Sequence, residues 1–323
     1  MKYIGIQTQQ RRNNIRSLAM LFLFPCVLLL LTWIFFYILN TYLSGQKYPT
    51  DSSSVEEASY MFLQAAPWVV GVTVVWFLVA YFANTAIINA STGAQPLERR
   101  DNKRVYNLVE NLCITSGMDM PKINIIEDSS LNAFASGLNK RDFTVTLSRG
   151  IIDKLDDEEL EAVIAHELTH IRNNDVKVLV ISIVFVGIFS FLSQILLRTL
   201  FSGGIRVKSN NEKGGGGGAI AVILLLLVLA AIGYGITLLM RFSISRQREY
   251  MADAGSAEMT KKPLALASAL RKVSQDSRIE AVSQHDVAQL FIDNPLEKVN
   301  SSFNSLFATH PPIEKRIEIL EQM

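Results

Sequence analysis

The sequence predicts a mainly α chain with a small β-sheet (α+β), organised around two hairpins of helices long enough to cross a membrane. Three observations carry this. Four long apolar blocks punctuate the 323 residues. A polar stretch between the second and third blocks contains short β-like segments, and just ahead of the third block apolar residues recur at helical spacing.

The blocks run from Leu18 to Leu39, Ala65 to Ile88, Val176 to Leu197 and Ala219 to Met240, each near the roughly 20 residues a helix needs to span hydrocarbon. Three contain no Lys, Arg, Asp or Glu, and the third has only Lys177 beside its first residue. A helix of a water-soluble protein keeps a polar face, and these blocks are apolar all round. Lys2, Arg11, Arg12 and Arg16 precede the first block, and Arg99, Arg100, Lys103 and Arg104 follow the second, which puts both flanks on the cytoplasmic side. The intervening Asn40 to Gln64 carries Asp51, Glu56 and Glu57 against Lys47 and reads as a loop on the other side. The second pair obeys the charge rule less well, because Arg198, Arg206, Lys208 and Lys213 sit in its connection. Gly214 to Gly218 there reads as a flexible linker.

Composition excludes several classes. With 31 basic and 30 acidic residues, the chain lacks the basic surface that nucleic acid would favour. Its two cysteines, Cys26 in an apolar block and Cys113 in a polar segment, give no disulfide framework. The basic stretch from Met1 to Arg16 precedes an apolar run with no small-residue cleavage site before Asn40, so the first span is expected to remain as an anchor.

Between Gln95 and Asp175 the pattern predicts a helix around Arg104 to Thr115, then strands at Lys122 to Ile126, Leu131 to Ser136 and Phe143 to Leu147, with a hairpin turn at Asn139 and Lys140. A further helix starts at Asp156, an N-cap candidate with Glu159 three residues on, and places Leu160, Val163, Ile164, Leu168 and Ile171 on one face. The small sheet is expected to pack on it.

That helix carries His166-Glu167-Leu168-Thr169-His170, two of the four histidines in the chain. Four-residue spacing puts both imidazoles on one face about a turn apart, suited to one small cation, with Glu167 beside them. Two neutral imidazoles and an open coordination position suit Zn²⁺, which makes water acidic and polarises carbonyls, and Glu167 could then take the water proton as general base. A third ligand is needed. After the fourth block, Glu249 and Asp253 lie one turn apart, with Glu249 the candidate ligand and Asp253 a candidate acceptor for a histidine N–H. An acidic pair on a solvated helix, offset by Arg246 and Arg248, is the ordinary alternative.

At this point a resemblance becomes specific. Asn132-Ala133-Phe134-Ala135-Ser136-Gly137, the His166 to Asp175 segment, the Arg248 to Ala257 segment, and Thr309-His310-Pro311-Pro312 with Lys315-Arg316-Ile317 occur in order along the four-block layout. Together they resemble the HtpX-type membrane metallopeptidases, a bacterial family related to the eukaryotic CaaX prenyl proteases. The resemblance implies a gluzincin-like zinc peptidase domain with one Zn²⁺ on His166, His170 and Glu249 and catalysis by Glu167. It implies a multi-pass protein of the bacterial inner membrane that cleaves membrane or misfolded proteins on the cytoplasmic face. It also implies that Asn132, Ala133, Phe134 and Ala135 form an edge strand to which an extended substrate adds, although Phe134 reads equally as a core residue and Asn132 as a turn residue. His310 either returns to the cleft to stabilise the oxyanion, with Arg316 beyond it, or caps the last helix. His285 reads as a surface histidine.

The resulting layout is a cytoplasmic segment 1–17, a first membrane hairpin 18–90, a first peptidase part 91–175, a second hairpin 176–240 and a second peptidase part 241–323. Two rival readings remain. One is a non-proteolytic membrane scaffold with a structural metal, which would normally show four protein ligands, often thiolates. The other is a prenyl-protein protease, a branch with more membrane spans than four.

Overall fold

The computed structural model describes residues 6–43, 52–201, 217–242, 247–275 and 311–323. The four apolar blocks are all helical, and each helix begins ahead of its block: α1 spans Ile6–Ile38, α2 Ser52–Thr92, α6 Asp175–Phe201 and α7 Gly217–Phe242. A short π-helical stretch, Leu39–Leu43, extends α1. The expected outer loop from Asn40 to Gln64 is therefore corrected: its second half is helix. Backbone hydrogen bonding continues as long as residues tolerate it, whereas a hydropathy reading stops where polar side chains begin. Likewise Gly217 and Gly218 belong to α7 rather than to a linker, while Gly214, Arg206, Lys208 and Lys213 lie outside the described residues.

Within these four helices the most apolar windows bury as little as 11% of their residues, and Phe22, Trp68, Phe82 and Phe201 stand exposed. Water would not tolerate such surface over four long helices, and lipid would. Inner faces of the same helices do pack. Phe24 of α1 stacks on Phe185 of α6 at 4.1 Å and meets Phe189 edge-on at 5.6 Å. Trp76 of α2 donates to the carbonyl of Val184 at 3.3 Å. Gly233 of α7 leaves room for the Phe189 ring, because a Cβ there would fall 2.2 Å from it. This packing forms one compact unit of residues 18–79 and 184–241.

The other compact unit combines residues 1–17, 80–183 and 242–323. After the two-residue strand β1 (Gln95–Pro96) comes α3 (Lys103–Ser116), opened by Asn102, whose side chain accepts from the N–H of Val105, and closed by left-handed Gly117. Strands β2 (Lys122–Ile126), β3 (Ala133–Ser136) and β4 (Thr144–Ser148) follow in sequence, and the spatial order is β1-β2-β4-β3. β2 and β4 are parallel, whereas β3 and β4 form the expected antiparallel hairpin, in which Asn139 accepts from the N–H groups of Asp142 and Phe143. Relative to the sequence reading β4 is shifted by one residue, β3 is shorter, and β1 was not anticipated. A two-residue strand exists only through its pairing with β2, which local pattern does not reveal.

The short helix α4 (Arg149–Lys154) leads into α5 (Asp157–Arg172), which packs on β3 and β4 and against α3, α8 (Gln247–Thr260) and α9 (Pro263–Val273). The last described helix, α10 (Ile313–Glu321), lies on α8 and α9. Leu160, Val163, Ile164, Leu168 and Ile171 form the buried stripe of α5 that their spacing predicts.

Candidate metal centre

α5 is fixed at its amino end. At its start the Asp156 side chain accepts from the N–H of Glu159 at 2.9 Å while the Glu159 carboxylate accepts from the N–H of Asp156 at 3.1 Å, the capping box expected from sequence. Arg104 donates to the carbonyls of Ile152 and Leu155, at 2.7 and 2.8 Å, and so ties down the turn that precedes the helix.

On this rigid frame the Nε2 atoms of His166 and His170 face each other at 3.1 Å. α8 delivers Glu249 to the same place, with Oε1 3.7 Å from His170 Nε2 and Oε2 3.7 Å from His166 Nε2. One donor atom from each of the three residues lies within 4.8 Å of the other two. A tetrahedral zinc with bonds of about 2.0–2.1 Å holds neighbouring ligand atoms roughly 3.3 Å apart, so this donor set fits such an ion after small adjustments.

The outer nitrogens of both rings face carboxylates. Asp253 Oδ1 stands 3.0 Å from His166 Nδ1, although the N–H is not pointed squarely at it, and Asp175 Oδ2 stands 3.1 Å from His170 Nδ1. A carboxylate only accepts, so each Nδ1 carries the proton and both Nε2 lone pairs turn inward beside Glu249. Three acceptors thus converge in a buried space, and a cation satisfies all of them. Glu249 and Asp253 are 2% and 1% exposed, which removes the solvated-pair alternative.

Burial shapes the charges. It would keep His166 neutral, but Asp253 and Glu249 outweigh it and hold the ring's pKa at about 9, a sign that the pocket draws positive charge. Burial also pushes the Glu167 carboxyl above its ordinary value, partly offset by His166 and His170, which suits a group that must take up a proton near neutral pH. Burial would raise the Asp253 carboxyl too, yet Arg316 and His166 prevail and hold it below the usual range.

Arg316 is completely buried on α10 and grips Asp253 in a two-pronged pair, Nε to Oδ2 at 2.9 Å and Nη2 to Oδ1 at 2.7 Å, with Nη1 3.6 Å from Glu249 Oε2. It reaches the centre through the carboxylates rather than from a solvent-facing side. His310 and His285 lie outside the described residues. Ala133, Phe134 and Ala135 lie in the edge strand β3 and Asn132 immediately precedes it, but all four are at most 4% exposed, and Phe134 is part of the core. Asn132 turns its side-chain oxygen to the N–H of Ala133 at 3.0 Å. Asp175, five residues past His170, was not singled out by sequence reasoning as an orienting group. An acidic residue at the foot of a histidine-bearing helix was the available signal.

Close approach of α5 and α8 sets where Glu249 points. Gly255 lies against Thr169, and a Cβ there would fall 2.4 Å from Thr169 Cγ2, a side chain already held by its bond to the carbonyl of Ala165 at 2.8 Å. Gly255→Ala is expected to cost about 1–3 kcal/mol by overpacking and to loosen metal binding, read by thermal unfolding and zinc content. An unchanged melting temperature would show that the two helices can separate freely.

The chain is 59% identical over 325 aligned residues to a protein described as a Protease HtpX homolog from Bacteroides fragilis, covering 100% of both chains. It is 38% identical to one so described from Tropheryma whipplei, over 76% of this chain and 81% of that one, and 39% identical to one from Listeria monocytogenes, over 77% and 83%. The crystal structure of S. mikatae Ste24p is similar with a TM-score of 0.48 and 23% identity, covering 96% of this chain and 67% of that one. The model of peptidase family M48 matches residues 99–323. With that match spanning strands β2 to β4 and every residue of the donor set, the chain belongs to peptidase family M48, a membrane metallopeptidase of the HtpX type.

Proposed function

We propose that the chain is a zinc-dependent endopeptidase that cleaves membrane or misfolded proteins on the cytoplasmic face of the bacterial inner membrane, serving protein quality control. The observation that carries the reading is the convergence of His166 Nε2, His170 Nε2 and the Glu249 carboxylate with both outer ring nitrogens facing carboxylates. Three protein ligands leave a coordination position open, as catalytic sites do and structural ones do not. Zinc held there would supply an acidic water and a polarised scissile carbonyl.

The remaining work falls to side chains. Glu167, with its carboxyl pushed up by burial, takes the proton of the attacking water and returns it to the leaving amine. Asp253 and Asp175 keep the two imidazoles in the tautomer that faces inward. Arg316 positions Asp253 and Glu249. An extended substrate would add its backbone to the outer edge of β3. Because that strand is buried, access requires neighbouring residues to draw back. The cytoplasmic placement is supported by the basic flanks of the first helix pair, Arg11, Arg12 and Arg16 before it and Arg99, Arg100 and Lys103 after it.

The direct test pairs a zinc assay with proteolysis of casein. The parent chain is expected to bind one zinc and to cut, and Glu249→Ala to lose the metal and all cleavage. A Glu249→Ala chain that keeps zinc and activity would overturn the ligand assignment.

A further inference from the structure

We propose that Asn13, on the stretch of α1 ahead of the first membrane block, is a positioning residue of the metal centre, acting on His170 through Asp175; the inference rests on the zinc site described above. Gln10, Asn13 and Asn14 are spaced three and four apart and share one face of α1. That face meets the link where α5 ends at Arg172 and α6 begins at Asp175. Gln10 Nε2 donates to the carbonyl of Arg172 at 2.6 Å, and Asn174 Nδ2 donates to Asn14 Oδ1 at 3.4 Å. Asn13 Nδ2 donates twice, to the carbonyl of Asn173 at 2.9 Å and to Asp175 Oδ1 at 2.6 Å. The carbonyls of Arg172 and Asn173 are among those a helix end leaves without internal partners, so α1 supplies these acceptors with donors that the C-cap at Asn173 does not.

Asn13 does more than cap. Asp175 has two oxygens, of which Oδ2 meets His170 Nδ1 at 3.1 Å and Oδ1 is held by Asn13. Both partners of the Asn13 amide nitrogen are acceptors, which fixes the amide orientation and makes the donor indispensable. Its own Oδ1 is buried without a hydrogen-bond partner among the described residues, and the residue is only 1% exposed. An apolar side chain of the same volume would avoid that desolvation cost. Asparagine at this position is therefore explained by what its N–H groups hold. Without that donor, the buried Asp175 carboxylate loses a restraint on its rotation, and the His170 ring loses its fixed angle toward the metal.

The test uses the full chain in detergent, in a Glu167→Gln background so that no cleavage intervenes. Zinc affinity is measured by competition with a chromophoric chelator, geometry by the visible absorption of the cobalt-substituted chain, and folding by thermal unfolding. Asn13→Leu keeps volume and removes the donor. It is expected to weaken zinc binding about tenfold, the lower end of what partners of metal-bound histidines contribute, and to shift the cobalt bands. Gln10→Ala, which loses a capping bond but leaves Asp175 held, should lower stability while leaving affinity and bands unchanged. In an Asp175→Ala background, Asn13→Leu should have no further effect on affinity. Asn13→Leu with the parent's affinity and spectrum would overturn the proposal, and so would an equal loss of affinity in the Asp175→Ala background. If Asn13→Leu does not fold, Asn13→Ala, which also removes the donor, takes its place under the same criteria. A parent chain that binds no zinc overturns the metal-centre reading, and this proposal with it.

Discussion

The Glu167→Gln chain will bind zinc with the parent's affinity and cut casein at least about 10²- to 10⁴-fold more slowly, the usual contribution of a positioned acid–base group. Glutamine preserves volume and much of the hydrogen bonding while removing the site that takes up a proton. The residue is not among the three converging donors, so metal content should not change. Proteolysis at the parent rate would remove Glu167 from the mechanism, and loss of zinc would mean that it supports the ligands instead.

Arg316→Met is expected to have the largest effect on stability. Arg316 and Asp253 are 0% and 1% exposed, and the pair is made through two short bonds. Removing one partner of a buried pair costs about 3–5 kcal/mol, because the other charge stays behind in a poor solvent for it. Here Glu249 is left with less compensation as well. Thermal unfolding of the metal-free chain in detergent reads the loss, and Arg316→Met combined with Asp253→Leu should recover part of it, since no buried charge then lacks its partner. A single variant as stable as the parent would show that water or another cation already serves Asp253.

The pH dependence of that loss has a definite sign. In the parent chain the Asp253 carboxyl is held below its usual range, so its contribution to stability is present above the unfolded value and fades only as pH falls through the lower folded one. In Arg316→Met the guanidinium that offsets burial is gone, so the carboxyl is expected to rise, with His166 still opposing the rise. The deficit of the variant should therefore be greatest near neutral pH and shrink on acidification, as Asp253 becomes neutral. A deficit that grows in acid would contradict the assignment.

What the sequence made legible was local chemistry. The step from His166 to His170, the Asp156–Glu159 cap and the apolar stripe from Leu160 to Ile171 each lie within a few helical turns, where geometry follows from spacing alone. Glu249 was legible by residue type and by resemblance, since its place opposite the histidines depends on how α8 packs on α5. Partnerships across long separations were not legible. Asn13 reaches Asp175 over 162 positions and Arg316 reaches Asp253 over 63. Nothing in a lone asparagine before an apolar block announces a buried donor, and resemblance named Arg316 without naming Asp253 as its partner. The parallel pairing of β2 with β4 and the extension of α2 back to Ser52 escaped for the same reason, because each is decided by neighbours distant in the chain or by backbone hydrogen bonding.

The donor set is split by residues 171–248, with two imidazoles before that excursion and one carboxylate after it. A bound ion would thus act as a clasp, closing a long loop that α5 and α8 otherwise close by packing and by bonds such as that from the Ser256 hydroxyl to the carbonyl of Ala162. Closing such a loop removes conformational freedom from the opened chain, so chelation should loosen the attachment of α8 well before the membrane helices come apart. Metal supply would then govern how firmly the two halves of the peptidase hold together, as well as whether it can cut.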